Sequence, residues 1–143
     1  GVLPRHPFCL QIELHGMVMP IRYFTVEEAN ALLPELESLV GRLLELRAQV
    51  SHDSRAIANV LANVHQDVGG PVASRLVGQF EQIETLIQRI QNYGCVIKSV
   101  ESGLLDFLCE RDGRDVYLCW RYGEPSIRYF HEVHSGFQGR RPI

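Results

Sequence analysis

Asp106, Cys119, Glu124 and His131 are the residues whose types suit chemistry and whose positions can bring them together. A carboxylate, a thiolate and an imidazole together suit zinc or another divalent transition metal. Cys119 with His131 also has the makings of a thiol nucleophile and its base. His134 is an additional imidazole, although His131-Glu132-Val133-His134 is not the H-E-x-x-H zinc motif. Arg121, Glu124 and Arg140 are the candidate binding residues of the same region. Each of these has a plainer reading. Asp106 can pair with Arg121 or Arg128, Arg140 and Arg141 can fold back onto Glu124 or Asp106, and a free Cys is most often a small buried apolar residue.

What joins these residues is a hairpin. Leu104 to Cys109 and Val116 to Trp120 read as strands, and Asp112-Gly113 between them is a type I′ turn signal. A two-residue turn there pairs Arg111 with Arg114. Cys109 then faces Val116, Phe107 faces Leu118 and Leu105 faces Trp120, all on one apolar face. The other face pairs Leu108 with Tyr117, Asp106 with Cys119 and Leu104 with Arg121. Cross-strand neighbours lie about 5 Å apart, so Asp106 and Cys119 must meet if this register holds, and a slip of one residue separates them. Ile127 to His131, reached through Gly123-Glu124-Pro125, reads as a third strand, whose register decides whether His131 joins the pair. Cys95 to Lys98 is a short extended or connecting piece, and the tail from Gly136 reads as irregular. Gly136-Phe137-Gln138-Gly139 has the spacing of an RNA-clamping loop without the helices such a loop needs.

The elements ahead of the hairpin are helical. Thr25-Val26-Glu27-Glu28 is a capping box that opens a helix. Pro34 lies inside the helical pattern and predicts a kink or a restart. Leu32, Leu36, Leu39, Leu43, Leu46 and Val50 form a seam stepping by four and three. Ser51 to Ser54 either interrupts the helix or lies within it, and Ile57, Leu61, Val64 and Val68 continue an apolar face. Gly69-Gly70-Pro71 is a stop followed by a start. The second helix, about Pro71 to Tyr93, carries Leu76, Phe80, Ile83, Ile87 and Ile90, and Gly94 ends it. Two such stripes joined by a turn predict an antiparallel helical hairpin.

Composition narrows the function classes. The 143 residues have the size of one domain, with 45% hydrophobic residues and a net charge of −3. No apolar run is long enough for a membrane helix, and the charge gives no general reason to bind nucleic acid. Of the 14 basic residues all but Lys98 are Arg. The four cysteines form no C-x-x-C pair, no secretory signal is visible, and reduced thiols in a cytoplasm are the expectation. Residues 1–19 read as a poorly ordered or non-native extension, with Cys9 to Leu14 as a short strand at most and Met17 or Met19 as a start site. Residues 20–143 read as one domain.

Several stretches together resemble the bacterial family catalogued as a domain of unknown function, DUF2203. They are Phe24 to Asn30 with Leu33-Pro34-Glu35-Leu36, Gly94-Cys95 with Lys98, Gly103 to Phe107, Val116 to Arg121, Gly123-Glu124-Pro125, Ile127 to His131, and Gly136-Phe137 with Gly139-Arg140. The likeness covers most of the chain after residue 20. This chain has Ser99 where the family more often has Asp, and Phe130 where it more often has Trp. The resemblance implies a soluble bacterial protein and brings no activity with it.

The expected architecture is therefore α+β: a long antiparallel helical hairpin followed by a three-stranded antiparallel β-sheet. The helical stripes exceed what three strands cover, which predicts a homodimer. The favoured function is a cytoplasmic binding or protein-interaction domain. The competing one is a metal-dependent or thiol-dependent enzyme with its site on the polar face of the sheet.

Overall fold

The computed structural model describes residues 10–14, 17–62 and 71–143. Of the predicted 1–19 extension, residues 1–9 and 15–16 lie outside the described residues, as do Val64, Val68 and the Gly69-Gly70 turn. Strands β1 (Leu10–Leu14) and β2 (Met17–Ile21) pair antiparallel as a separate two-stranded ribbon.

Helix α1 (Val26–Ala62) starts as its capping box dictates. The Glu28 amide donates to Thr25 Oγ1 at 3.1 Å, and the Thr25 amide donates to Glu28 Oε1 at 3.0 Å. Those bonds hold the Glu28 carboxyl below its ordinary range, the Thr25 amide contributing most. The helix runs on through Pro34, so the expected restart does not occur. The amide that Pro34 lacks would have bonded to the Asn30 carbonyl. Ser51 to Ser54 are likewise helical.

Helix α2 (Pro71–Gln91) returns antiparallel. Arg75 meets Asp53, Gln79 meets Gln49, and Tyr93 just beyond α2 meets Glu35. Leu36, Leu43, Leu46 and Ile90 are buried in the seam as their spacing predicts, and Leu86 is buried with them. The predicted stripe fails near the start of α2, where Phe80 is 55% exposed and Val77 is 60% exposed. There the inward position belongs to Gln79, whose amide donates to Gln49, and the neighbouring Arg75 donates to the buried Asp53. Polar pairing across the hairpin thus turns the apolar stripe outward.

After Gly94 the period changes, and the chain builds an antiparallel sheet of five strands in the order β3-β4-β5-β6-β7, not three. These are β3 (Val96–Ser99), β4 (Leu104–Arg111), β5 (Arg114–Arg121), β6 (Tyr129–Glu132) and β7 (Arg141–Pro142). The two extra strands are edges. The connecting piece after Gly94 pairs with β4, and the tail returns to pair Pro142 with Tyr129. Both are too short to show a period of two, which is why the first reads only as a short extended or connecting piece and the second as irregular.

The β4–β5 register is the predicted one at every pair from Leu104–Arg121 to Arg111–Arg114. Asp112 and Gly113 both take positive φ, 53° and 77°, as a type I′ turn requires. Leu105, Phe107, Cys109, Val116, Leu118 and Trp120 enter one core with Phe24, the α1 leucines and Ile90. Phe24 meets Phe107 edge-on at 5.1 Å. The loop after β5 is tied to α1, because the Ile127 amide donates to Asn30 Oδ1 at 2.7 Å.

Candidate functional site

The helices fill the apolar face of the sheet, and the site lies on the other. Alternation along β4 and β5 places Asp106 beside Cys119. Strand β6 pairs Tyr117 with His131 and Cys119 with Tyr129, so His131 stands on that same face. Three adjacent strands therefore each contribute one side chain. Asp106 and Cys119 have no exposed surface and His131 is 2% exposed. One ligand atom from each, a carboxylate oxygen, the thiol sulfur and a ring nitrogen, all lie within 4.8 Å of one another.

Both ring nitrogens of His131 are engaged. Nδ1 lies 2.8 Å from the Glu132 carbonyl oxygen, and Nε2 lies 3.0 Å from Asp106 Oδ2. A carbonyl can only accept, so Nδ1 carries a proton. The bond between Nε2 and Oδ2 then needs one further proton, shared by the pair. Burial pushes the Asp106 carboxyl upward, while the charge and hydrogen bond of His131 and then the charge of Lys98 pull it back. The second carboxyl oxygen, Asp106 Oδ1, is buried without a hydrogen-bond partner among the described residues. An unsatisfied buried oxygen costs about 1–3 kcal/mol or more, so one that persists calls for a partner.

Cys119 is not set up as a nucleophile. Burial, and next the Asp106 charge, push its thiol up to about 12. The imidazole of the cluster, His131, is held by Asp106 and the Glu132 carbonyl. A divalent ion reverses this logic by displacing the thiol proton.

The other candidates sit apart. Glu124 is consumed: both its oxygens accept from Arg140 Nη1, at 3.0 and 2.9 Å, and Oε1 also accepts the Arg121 amide at 2.6 Å. Arg140 stacks on Tyr129 and Phe137, 4.3 and 4.0 Å from the ring centroids. It is the fold-back onto Glu124 that the sequence suggested. Arg121 is exposed and faces Phe137 from 5.8 Å. His134 is exposed, outside the cluster. Gly136 to Gly139 makes a short 3₁₀ turn rather than a helix-flanked clamp.

Two neighbours of the triad were not singled out from sequence. The Tyr117 ring lies 5.7 Å from the His131 ring, and Lys98 Nζ lies 5.1 Å from the Tyr117 ring centroid. A usable signal existed for Lys98, the one lysine among the 14 basic residues. The Glu132 carbonyl, which sets the imidazole tautomer, leaves no mark in the sequence.

Residues 22–143 match the family model described as an uncharacterized conserved protein, DUF2203, and the chain belongs to that family. No curated protein and no solved structure matches the chain. Among the described residues, no helix is long and apolar enough to cross a membrane.

Proposed function

We propose that this protein binds one divalent transition ion, zinc or an ion of similar preference, through Asp106, Cys119 and His131. The observation that carries the reading is the convergence of these three buried donors within 4.8 Å of one another, with Asp106 Oδ1 making no hydrogen bond of ordinary geometry among the described residues. The set is one that zinc accepts, and the bond from His131 Nδ1 to a backbone carbonyl is the outer support that imidazole ligands usually have. Such an ion would tie β4, β5 and β6 together. Metal uptake would release the thiol proton and the proton shared by Asp106 and His131, so affinity should rise with pH. The reduced thiol this requires fits a cytoplasmic location.

Metal content of the purified protein, measured after loading and desalting, tests the reading. One ion per chain is expected, lost in Asp106→Ala, Cys119→Ser and His131→Ala, with circular dichroism confirming that the variants fold. Wild-type protein that holds no metal after loading with zinc, cobalt, nickel or iron(II) defeats it.

A second reading, association of two copies through α2, rests on exposed Val77 and Phe80. It gives the protein a binding role independent of the metal. Light scattering decides it: a species of twice 16.3 kDa should revert to monomer in Phe80→Glu, and a wild-type monomer at high concentration removes the reading.

A further inference from the structure

Resting on the metal reading, we propose that the same sheet face takes a small oxyanion, the carboxylate or phosphate group of a small molecule, held between the bound ion and the Lys98 ammonium. The first argument is ligand number. Zinc-like ions take four donors, and three come from the protein. No fourth His, Cys, Asp or Glu joins the cluster among the described residues, and Glu124, in the loop after β5, is saturated by Arg140 and the Arg121 amide. The fourth position is left to a group from outside, as in metal sites that act on or hold a ligand.

The second argument is charge. Carboxylate and thiolate from Asp106 and Cys119 cancel a divalent ion. Glu124 cancels Arg140. Nearest the triad, Lys98 and Arg121 remain, each without a carboxylate bridge among the described residues, while Glu110 and Asp115 stand farther along the same face toward the turn. Val96 pairs with Asp106, and Lys98 sits at the register shift between Ile97 and Ser99, its ammonium reaching Tyr117 on the triad's face. The occupied centre would thus be neutral, with Lys98 and Arg121 at its end of the face and Glu110 and Asp115 toward the turn, so an anionic fourth ligand is favoured on the Lys98 side.

The third argument is placement. Lys98 is exposed and its ammonium is steered over Tyr117, whose ring touches the His131 side of the triad. Its charge is felt at the Asp106 carboxyl. An aromatic ring under an ammonium holds it by a cation–π contact and strips little of its capacity to donate to an anion. The helices occupy the opposite face, and Lys98, Tyr117 and Tyr129 border the buried triad on this one, so a ligand reaches the donors past these side chains.

Cobalt(II) in place of zinc makes both readings visible. The thiolate-to-cobalt charge-transfer band reports the metal centre, and the visible d–d bands report its fourth ligand. Inorganic phosphate and acetate are titrated in separate arms at constant ionic strength into wild type, Lys98→Gln and Lys98→Arg. The expected result is a saturable d–d shift with at least one of the two anions, naming the oxyanion class. Its affinity should fall about tenfold in Lys98→Gln, the loss of one charge-assisted hydrogen bond, and return in Lys98→Arg. A charge-transfer band that forms while neither anion moves the d–d bands overturns the oxyanion site and leaves the metal reading standing. Equal affinity in Lys98→Gln overturns the role of Lys98. No charge-transfer band at all overturns the metal reading and the oxyanion site with it.

Discussion

The β4–β5 hairpin has two faces built from the same two strands, and they are put to opposite uses. One face carries Leu105, Phe107, Cys109, Val116, Leu118 and Trp120 into the core beneath the helices. The other carries Asp106 and Cys119, buried as deeply but among polar neighbours. The two cysteines show the contrast in one residue type. Cys109 faces the core, and its thiol donates to the Glu110 carbonyl. Cys119 lies beside a carboxylate and an imidazole, in a cluster with an unsatisfied oxygen. Depth is therefore not what separates a packing residue from a chemical one in this sheet. The distinction lies in whether the neighbours can bond or can only pack.

Substitutions on the two faces should separate stability from chemistry. Trp120→Ala empties the largest fully buried side chain of the apolar face and should cost about 3–5 kcal/mol in urea denaturation. Cys119→Ser, without metal, changes little volume and should cost well under half as much. Equal losses would mean that both faces serve packing alike.

Alkaline titration sharpens the contrast between the thiols. The folded Cys119 thiol holds its proton up to about 12, whereas an unperturbed thiol gives it up near 9.0. Unfolding in that window releases a proton, so stability falls as pH rises from about 9 to about 12. The slope reaches at most about 1.4 kcal/mol per pH unit for one such thiol. Cys95, also pushed up to about 12 by burial, adds its own share. Denaturation midpoints at stepped pH should show a shallower decline in Cys119→Ala than in Cys109→Ala. The reverse order would place the stronger perturbation on the apolar face.

The smallest effect tests what the faces share. Gly113 sits at φ 77° with no atom within 4 Å of an added Cβ, so Gly113→Ala meets only backbone strain. About 1 kcal/mol should be lost, with metal stoichiometry unchanged. Lost stoichiometry would mean that the turn's conformation, beyond its register, holds the triad.

Legibility in the sequence followed interaction range. Alternation and the Asp112-Gly113 turn are local, and they sufficed for the register, the apolar face and the meeting of Asp106 with Cys119. The capping box and the α1 seam were equally local. The two edge strands were missed because two to four residues carry no period. Phe80 was misplaced because its apolar type suited a stripe whose inward position went to Gln79, bonded across the hairpin.

The sequence by itself determined the α+β order, the hairpin register and the meeting of two of the three clustered side chains, because spacing and turn chemistry act between near neighbours along the chain. Only the tertiary structure decided that His131 completes the cluster, that Glu124 is spent on Arg140, and that Lys98 stands above Tyr117. Those outcomes depend on how β6 aligns with β5, where the tail folds back and which way β3 bulges onto β4. Loops and edges make those choices by closing on distant partners, and no local pattern records the partner.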